Sequence, residues 1–470
     1  MYNIKSKIAT EFISHDEILE SLEYATSIKD SREEIEAILT KAAECKGLTH
    51  REAIALLECN EDDLIEKIYS LAAEIKHKYY GNRVVMFAPL YLSNYCINGC
   101  IYCPYNNQNK TISRKKLTQQ EIKNEVIALQ EMGHKRIALE TGEHPKLCSI
   151  DYVLESIKTI YSTHYKNGVI RRVNVNIAAT TVENYKKLKD AEIGTYILFQ
   201  ETYNKQNYEA LHPTGPKSNY AYHTEAMDRA MEAGIDDVGL GVLFGLNSYK
   251  YDFVGLMMHS EHLEATFGFG AHTISVPRIC AADGVDSDGF SNAISDDIFA
   301  KIVAIIRIAQ PYVGIIISTR ESQQVRERVL KLGVSQISGG SSTKVGGYAT
   351  EKEANSAQFE LSDTRTLDEI VGSLASSGYI PSFCTACYKE GRTGDRFHTL
   401  VRNGQIANCC TPNALITFKE YLEDYGSENS RKVGLKVIEN SLQYIKSDKV
   451  RDIATSNLVD IEKGKRDFRF

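Results

Sequence analysis

From residue 83 onward, short apolar runs alternate with longer amphipathic ones. The apolar runs are Arg83–Leu92, Arg136–Thr141, Arg171–Ala178, Thr195–Gln200, Asp237–Phe244, His272–Arg278, Gly314–Thr319 and Ser335–Gly339. Between them lie stretches with helical periodicity: Leu117–Met132, Tyr152–His164, Val182–Glu192, Tyr220–Ala233, Asp252–Thr266, Asp296–Ala309 and Ser322–Leu332. This repeating alternation of strand and helix predicts an α/β fold, a closed (βα)8 barrel of the TIM type. An open doubly wound sheet is the competing arrangement, but it rarely uses eight regular units. Gly133, Gly194, Gly234 and Gly333 follow helices and are expected at their C′ positions.

The flanks read differently. Residues 1–82 form a helical extension. Ser31 with Glu34 and Thr49 with Glu52 have capping-box spacing, and Asn60–Tyr80 continues the helical pattern. After Tyr348 the chain is more polar and the alternation stops. Thr411–Tyr425 and Arg431–Lys446 are predicted helices there. Three units are expected: 1–82, a barrel over 83–348, and a C-terminal unit over 349–470.

Composition narrows the function. At 470 residues the chain exceeds one small core. The net charge of −7, with no basic block, argues against nucleic acid or an anionic membrane as partner. Met1–Ser14 has no apolar signal region and no window approaches a membrane span, so a cytoplasmic location is expected. In that setting the eleven cysteines read as metal ligands and buried thiols, not as disulfides. Cys45 and Cys59 fall in predicted helices as packing residues, and Cys148 and Cys280 match no ligand spacing.

Cys96, Cys100 and Cys103 form a C-x3-C-x2-C motif just after the first strand. Three thiolates hold three irons of a 4Fe–4S cubane and leave the fourth open to chemistry. A structural zinc site prefers four ligands in spaced pairs. An open iron is what a radical S-adenosylmethionine (SAM) enzyme needs, and the motif resembles that superfamily. In a (βα)8 barrel the C-terminal strand ends carry the active site, which puts these cysteines at the top. The second group, Cys384 and Cys387 followed by Cys409 and Cys410, gives C-x2-C-x22-C ending at Cys410. It suits a second iron–sulfur cluster. A four-cysteine zinc site is the alternative, although adjacent cysteines serve one tetrahedral ion poorly.

These motifs resemble the HydG family, the radical SAM tyrosine lyases that mature [FeFe]-hydrogenase. The resemblance rests on the first cysteine motif with its lead-in Ala88–Asn94, on Thr141–Glu143, His272–Arg278 and Ser318–Glu321, and on the distal cysteines. It covers essentially the whole chain. The thiamine-pathway 2-iminoacetate synthases are the nearest alternative; they share the barrel and the early motifs and lack the distal set. A non-catalytic iron–sulfur carrier is the third reading.

The HydG resemblance implies cleavage of the Cα–Cβ bond of L-tyrosine to p-cresol and dehydroglycine. CO and cyanide would follow, and then an iron–cysteine–CO–cyanide unit for H-cluster assembly. It implies a SAM-binding 4Fe–4S cluster on Cys96, Cys100 and Cys103. It also implies an auxiliary cluster on Cys384, Cys387 and Cys410, with a possible fifth iron on His272. His272 opens the sixth strand and so belongs at the bottom of the barrel; His259 and His262, on the preceding helix, are the decoys. Glu143 would accept hydrogen bonds from the SAM ammonium, Tyr102 would pack by the adenine, and Glu201 would bind the ribose. Arg320, with Ser341 as a weaker partner, would hold the tyrosine carboxylate; Arg320 could instead pair with Glu321. Expected partners are free cysteine, a low-potential donor of ferredoxin or flavodoxin type, and other hydrogenase maturases.

Overall fold

The structure, a computed structural model, describes residues 1–286, 289–350 and 356–470. Its strands are β1 Arg83–Ser93, β2 Arg136–Thr141, β3 His164–Tyr165, β4 Gly168–Val169, β5 Arg172–Asn176, β6 Tyr196–Ile197, β7 Val238–Gly241, β8 Thr273–Ser275, β9 Gly314–Ile317, β10 Gln336–Ser338 and β11 Ile380–Ser382. Each of the eight predicted runs contains one barrel strand. These pair in parallel in the order β1-β2-β5-β6-β7-β8-β9-β10, and β10 returns to β1 at Val85–Phe87. The barrel is closed, so the open-sheet alternative is excluded. β3 and β4 form a small antiparallel hairpin that the hydrophobic pattern did not announce.

β1 is long because it serves three neighbours. Its later residues, from Ala88 onward, pair with β2. Its first residues, Arg83–Val85, pair with β11 from the C-terminal segment. Pro381 lies in β11, at the edge of the sheet, where its missing N–H is tolerated. This three-residue strand delivers Cys384 to the floor of the barrel, two residues beyond Ser382.

Helices fill the crossovers, with three departures: Lys205–Leu211 is an additional helix, His164 belongs to β3, and one predicted helix is broken. The stretch Tyr220–Ala233 is two helices, Tyr220–Thr224 and Ala226–Glu232, parted at Glu225. The Glu225 carboxylate accepts the Ala9 N–H and ties the N-terminal segment to the barrel. The helix Asp296–Ala309 is buried along almost its whole length, on all faces. A barrel helix normally shows solvent on one side. Here the N-terminal helices His50–Glu58 and Asp62–Tyr80 cover that side.

Several local expectations are corrected. The Thr49–Glu52 capping box forms, but Ser31 makes no side-chain cap bond. Gly133 and Gly234 do take left-handed conformations after their helices. Gly194 does not: Glu192 is the left-handed residue there, and Gly194 is needed because a Cβ would strike Asn174 and Arg172. Gly333 is itself the cap, with extended backbone. Beyond the two predicted C-terminal helices, observed at Ala407–Asp424 and Glu428–Leu442, the segment adds Leu367–Ser376, Gly394–Arg402 and Asp448–Glu462. Among the described residues no helix is long and apolar enough to cross a membrane.

Candidate active site and distal cysteine pocket

The top of the barrel holds a cavity lined by Cys96, Cys100 and Cys103 together with Tyr102, Glu143, Glu201 and Arg320. Residues from the ends of four different strands thus converge there, as the fold requires. The three thiols share one wall. Burial pushes the Cys100 thiol up to about 12, so deprotonation needs a cation beside it, which a bound iron core provides.

Glu143 and Glu201 each have a partner in this cavity. Glu143 accepts from Asn98 Nδ2 at 2.6 Å. Burial raises its carboxyl, and the Asn98 bond and Lys217 act in the opposite direction. Glu201 sits at φ 69°, an uncommon backbone conformation for a residue with a side chain. It accepts from Lys217 Nζ at 2.7 Å. Burial alone would lower the Lys217 ammonium, but the Glu201 carboxylate raises it. Lys217 therefore remains charged inside the cavity. It was not singled out by sequence, because it lies in the short 3-10 turn Pro216–Ser218 with no motif around it.

Tyr102 is buried, and its hydroxyl lies 2.7 Å from His212 Nε2. His212 Nδ1 lies 2.7 Å from the Tyr208 carbonyl, which can only accept, so Nδ1 carries the proton and Nε2 accepts from Tyr102. Burial lowers His212 to about 3, consistent with a neutral ring.

Arg320 projects from the end of β9 over Phe359, its guanidinium 3.7 Å from the ring centre. Nη1 donates to the Arg278 carbonyl and to Cys280 Sγ. Its Nε is buried without a hydrogen-bond partner among the described residues. The alternative of an Arg320–Glu321 pair does not occur: Arg278 takes the Glu321 carboxylate. Ser341 lies outside the lining of this cavity, and its hydroxyl is buried without a hydrogen-bond partner among the described residues. Cys280 lines the cavity as Arg320's partner, a place no spacing rule would have found.

Below lies an interior cavity that shares Glu140, Asn176, Phe199, Pro277, Arg320 and Phe359 with the upper one. It shares Gln336 with a third pocket at the barrel floor. That floor pocket is lined by Cys384, Cys387, Cys410 and His272. The structure thus joins the C-terminal cysteines to a histidine more than a hundred positions earlier. Cys409 points elsewhere and accepts from Arg392 Nη1 at 3.2 Å. His259 and His262 are held by Tyr203 and Asp228. Cys45 and Cys59 are buried in packing.

Both cysteine sets suit a multi-iron group. Among the described residues no three His, Cys, Asp or Glu side chains close on one ion-sized point; thiolates that bind separate corners of a cubane need not do so. Orphaned buried atoms at the floor, His272 Nδ1 and Arg136 Nε among them, mark a polar site with unused bonding capacity.

The Radical SAM superfamily model matches residues 90–256, and the Biotin and Thiamin Synthesis associated domain matches 275–380. A crystal structure of HydG, described as a maturase of the [FeFe]-hydrogenase, is 54% identical, with a TM-score of 0.95 over 98% of this chain and 100% of that one. The chain belongs to the HydG family. HydG from Carboxydothermus hydrogenoformans is 39% identical, with a TM-score of 0.83 over 96% of this chain and 99% of that one. The 2-iminoacetate synthase of Salmonella typhimurium is 29% identical over 73% of this chain and 89% of its own length. As a radical SAM hydrogenase maturase of the HydG family, the protein is an enzyme that works with a 4Fe–4S cluster and SAM.

Proposed function

We propose that the chain is a tyrosine lyase that cleaves the Cα–Cβ bond of L-tyrosine to p-cresol and dehydroglycine. The fragment then yields CO and cyanide, and the product is an iron–cysteine–CO–cyanide unit for assembly of the hydrogenase H-cluster. The observation that carries this reading is the pair of cysteine pockets at opposite ends of one barrel, with an interior cavity between them that shares lining residues with both.

Cys96, Cys100 and Cys103 would hold the upper cluster. When bound, that cluster and SAM supply an electron and a 5′-deoxyadenosyl radical. Glu143 would accept from the SAM ammonium, and its second oxygen is the one not taken by Asn98. Glu201 would face the ribose, its charge balanced by Lys217. Tyr102 would wall the adenine side, its ring fixed by His212. Arg320 would hold the tyrosine carboxylate through its planar fork; stacking on Phe359 fixes the plane of that fork. Ser341 is a weaker candidate, since it lies outside the cavity lining.

At the floor, Cys384, Cys387 and Cys410 would hold the auxiliary cluster, and His272 an additional iron. CO and cyanide bind low-valent iron strongly and are toxic when free. Passage through the interior cavity between the two ends would keep the fragment from water. Free cysteine, a low-potential ferredoxin- or flavodoxin-type donor and the other hydrogenase maturases are the partners this reading requires.

The test is anaerobic turnover of reconstituted protein with tyrosine, SAM and dithionite. p-Cresol together with CO and cyanide is the expected outcome. p-Cresol and glyoxylate without CO would instead make the protein a 2-iminoacetate synthase. Absence of 5′-deoxyadenosine would leave only an iron–sulfur carrier.

A further inference from the structure

Asp237 stands out at the barrel floor. It is 3% exposed, and neither carboxylate oxygen has a hydrogen-bond partner among the described residues. Leaving a buried carboxylate unpartnered is costly, so such a residue needs an explanation. It lines the same pocket as Cys384, Cys387 and Cys410. The neighbouring guanidiniums lie within electrostatic reach, but neither makes a hydrogen bond to it. Arg136 Nη2 donates to the Cys384 carbonyl at 3.0 Å. The Arg172 guanidinium lies 3.1 Å from the centre of the Tyr388 ring.

One group faces it. His272 Nδ1 lies 3.5 Å from Asp237 Oδ1 and is itself buried without a hydrogen-bond partner among the described residues. The backbone brings the two together. Asp237 immediately precedes β7 and His272 immediately precedes β8; these strands are paired, and the His272 N–H donates to the Val238 carbonyl at 2.9 Å. Phe397 meets the imidazole edge-on, 4.8 Å between ring centres. A shift of roughly 0.5 Å would bring Nδ1–H and the carboxylate to normal hydrogen-bond length.

We infer that Asp237 is a positioning residue for His272: its carboxylate accepts the Nδ1 proton and leaves Nε2, with its lone pair, for iron. The inference rests on the proposed reading that His272 binds the additional iron. A neutral imidazole ligates through one nitrogen, and the hydrogen bond made by the other fixes tautomer and ring orientation. The same bond satisfies two buried groups that otherwise have no partner. The 16% side-chain exposure of His272 lies away from the buried Nδ1.

The test uses full-length protein reconstituted anaerobically with iron and sulfide, then desalted. Ferrous ion alone is titrated in, and iron bound beyond the clusters is measured by equilibrium dialysis at constant sulfide. Wild type should take up one further iron, and His272→Ala should not. Asp237→Ala should weaken that uptake about 10- to 100-fold, the usual range for an outer partner of a metal-bound histidine. Asp237→Asn should weaken it less, because an amide oxygen still accepts. Asp237→Ala binding like wild type would overturn the inference. So would Asp237→Asn losing as much as His272→Ala, since the aspartate would then be a ligand itself. Loss of sulfide from either Asp237 variant would contradict it too, by tying the residue to the cluster. Wild-type uptake by His272→Ala would instead remove the underlying reading, and the inference with it.

Discussion

Arg278 grips Glu321 through Nε and Nη2, and that grip leaves Arg320 free of its sequence neighbour. Arg278 also donates to Asp296 at 2.8 Å, so its position is fixed from a second side. An acid next in sequence to a binding arginine would otherwise compete with substrate for it. Arg278→Ala should therefore raise KM for tyrosine about 10-fold, roughly 1.4 kcal/mol, with a smaller effect on kcat. Arg278→Ala/Glu321→Gln should recover most of that loss. Steady-state p-cresol formation measures both; an unchanged KM in the single variant would show that Glu321 does not compete.

Cys409 and Cys410 are adjacent, yet only Cys410 lines the floor pocket, while Cys409 accepts from Arg392. Cys409→Ser should keep the full iron content. Cys410→Ala should lose the distal iron, still form p-cresol, and fail to form the iron-bound CO and cyanide product. Infrared spectroscopy of the diatomic stretches with parallel p-cresol assays separates these cases. Loss of distal iron in Cys409→Ser would reverse the assignment.

Glu140 lines both the upper and the interior cavity. Burial lifts its carboxyl from the ordinary 4.5 to about 8, with Asn176 and Arg320 acting in the opposite direction. The folded protein thus holds this proton more tightly than the unfolded chain. Its contribution to stability is complete below about pH 4.5 and is lost as the pH rises to about 8. Glu140→Gln, which stays neutral throughout, should show a flatter decline of Tm between pH 6 and 9 than wild type. Parallel Tm curves by anaerobic calorimetry would mean the carboxyl is not perturbed.

Arg326 and Asp363 form an ion pair with both side chains almost fully buried. Arg326 also bonds the Ser338 carbonyl, so the pair fastens the segment after the barrel to β10. Asp363→Ala leaves a guanidinium buried with less compensation and should cost about 3–5 kcal/mol. Arg326→Met/Asp363→Leu should recover much of it. Denaturant titration of the purified variants is the check, and a loss below 1 kcal/mol in Asp363→Ala would contradict the assignment.

The sequence pattern located the barrel strands well, because a strand buried on both faces reads as a continuous apolar run. β11 was missed for the opposite reason: three residues with a proline carry no periodicity, and only pairing with β1 makes them a strand. Metal-ligand candidates were visible because cysteine spacing is chemically restrictive. Their surroundings were not. Lys217, Arg278, Asp237 and Tyr388 are ordinary residues until the fold sets them beside Glu201, Glu321, His272 and Arg172. The failed Ser31 cap shows the same limit: spacing permits a hydrogen bond, and the local backbone decides whether it forms.

The central claim is two iron–sulfur sites on one chain. It is tested most directly by anaerobic iron, sulfide and zinc analysis of wild type beside Cys384→Ala/Cys387→Ala. Wild type should hold about eight to nine irons per chain and the variant about four. About four irons in both, with one zinc lost from the variant, would contradict it and make the distal pocket a structural zinc site.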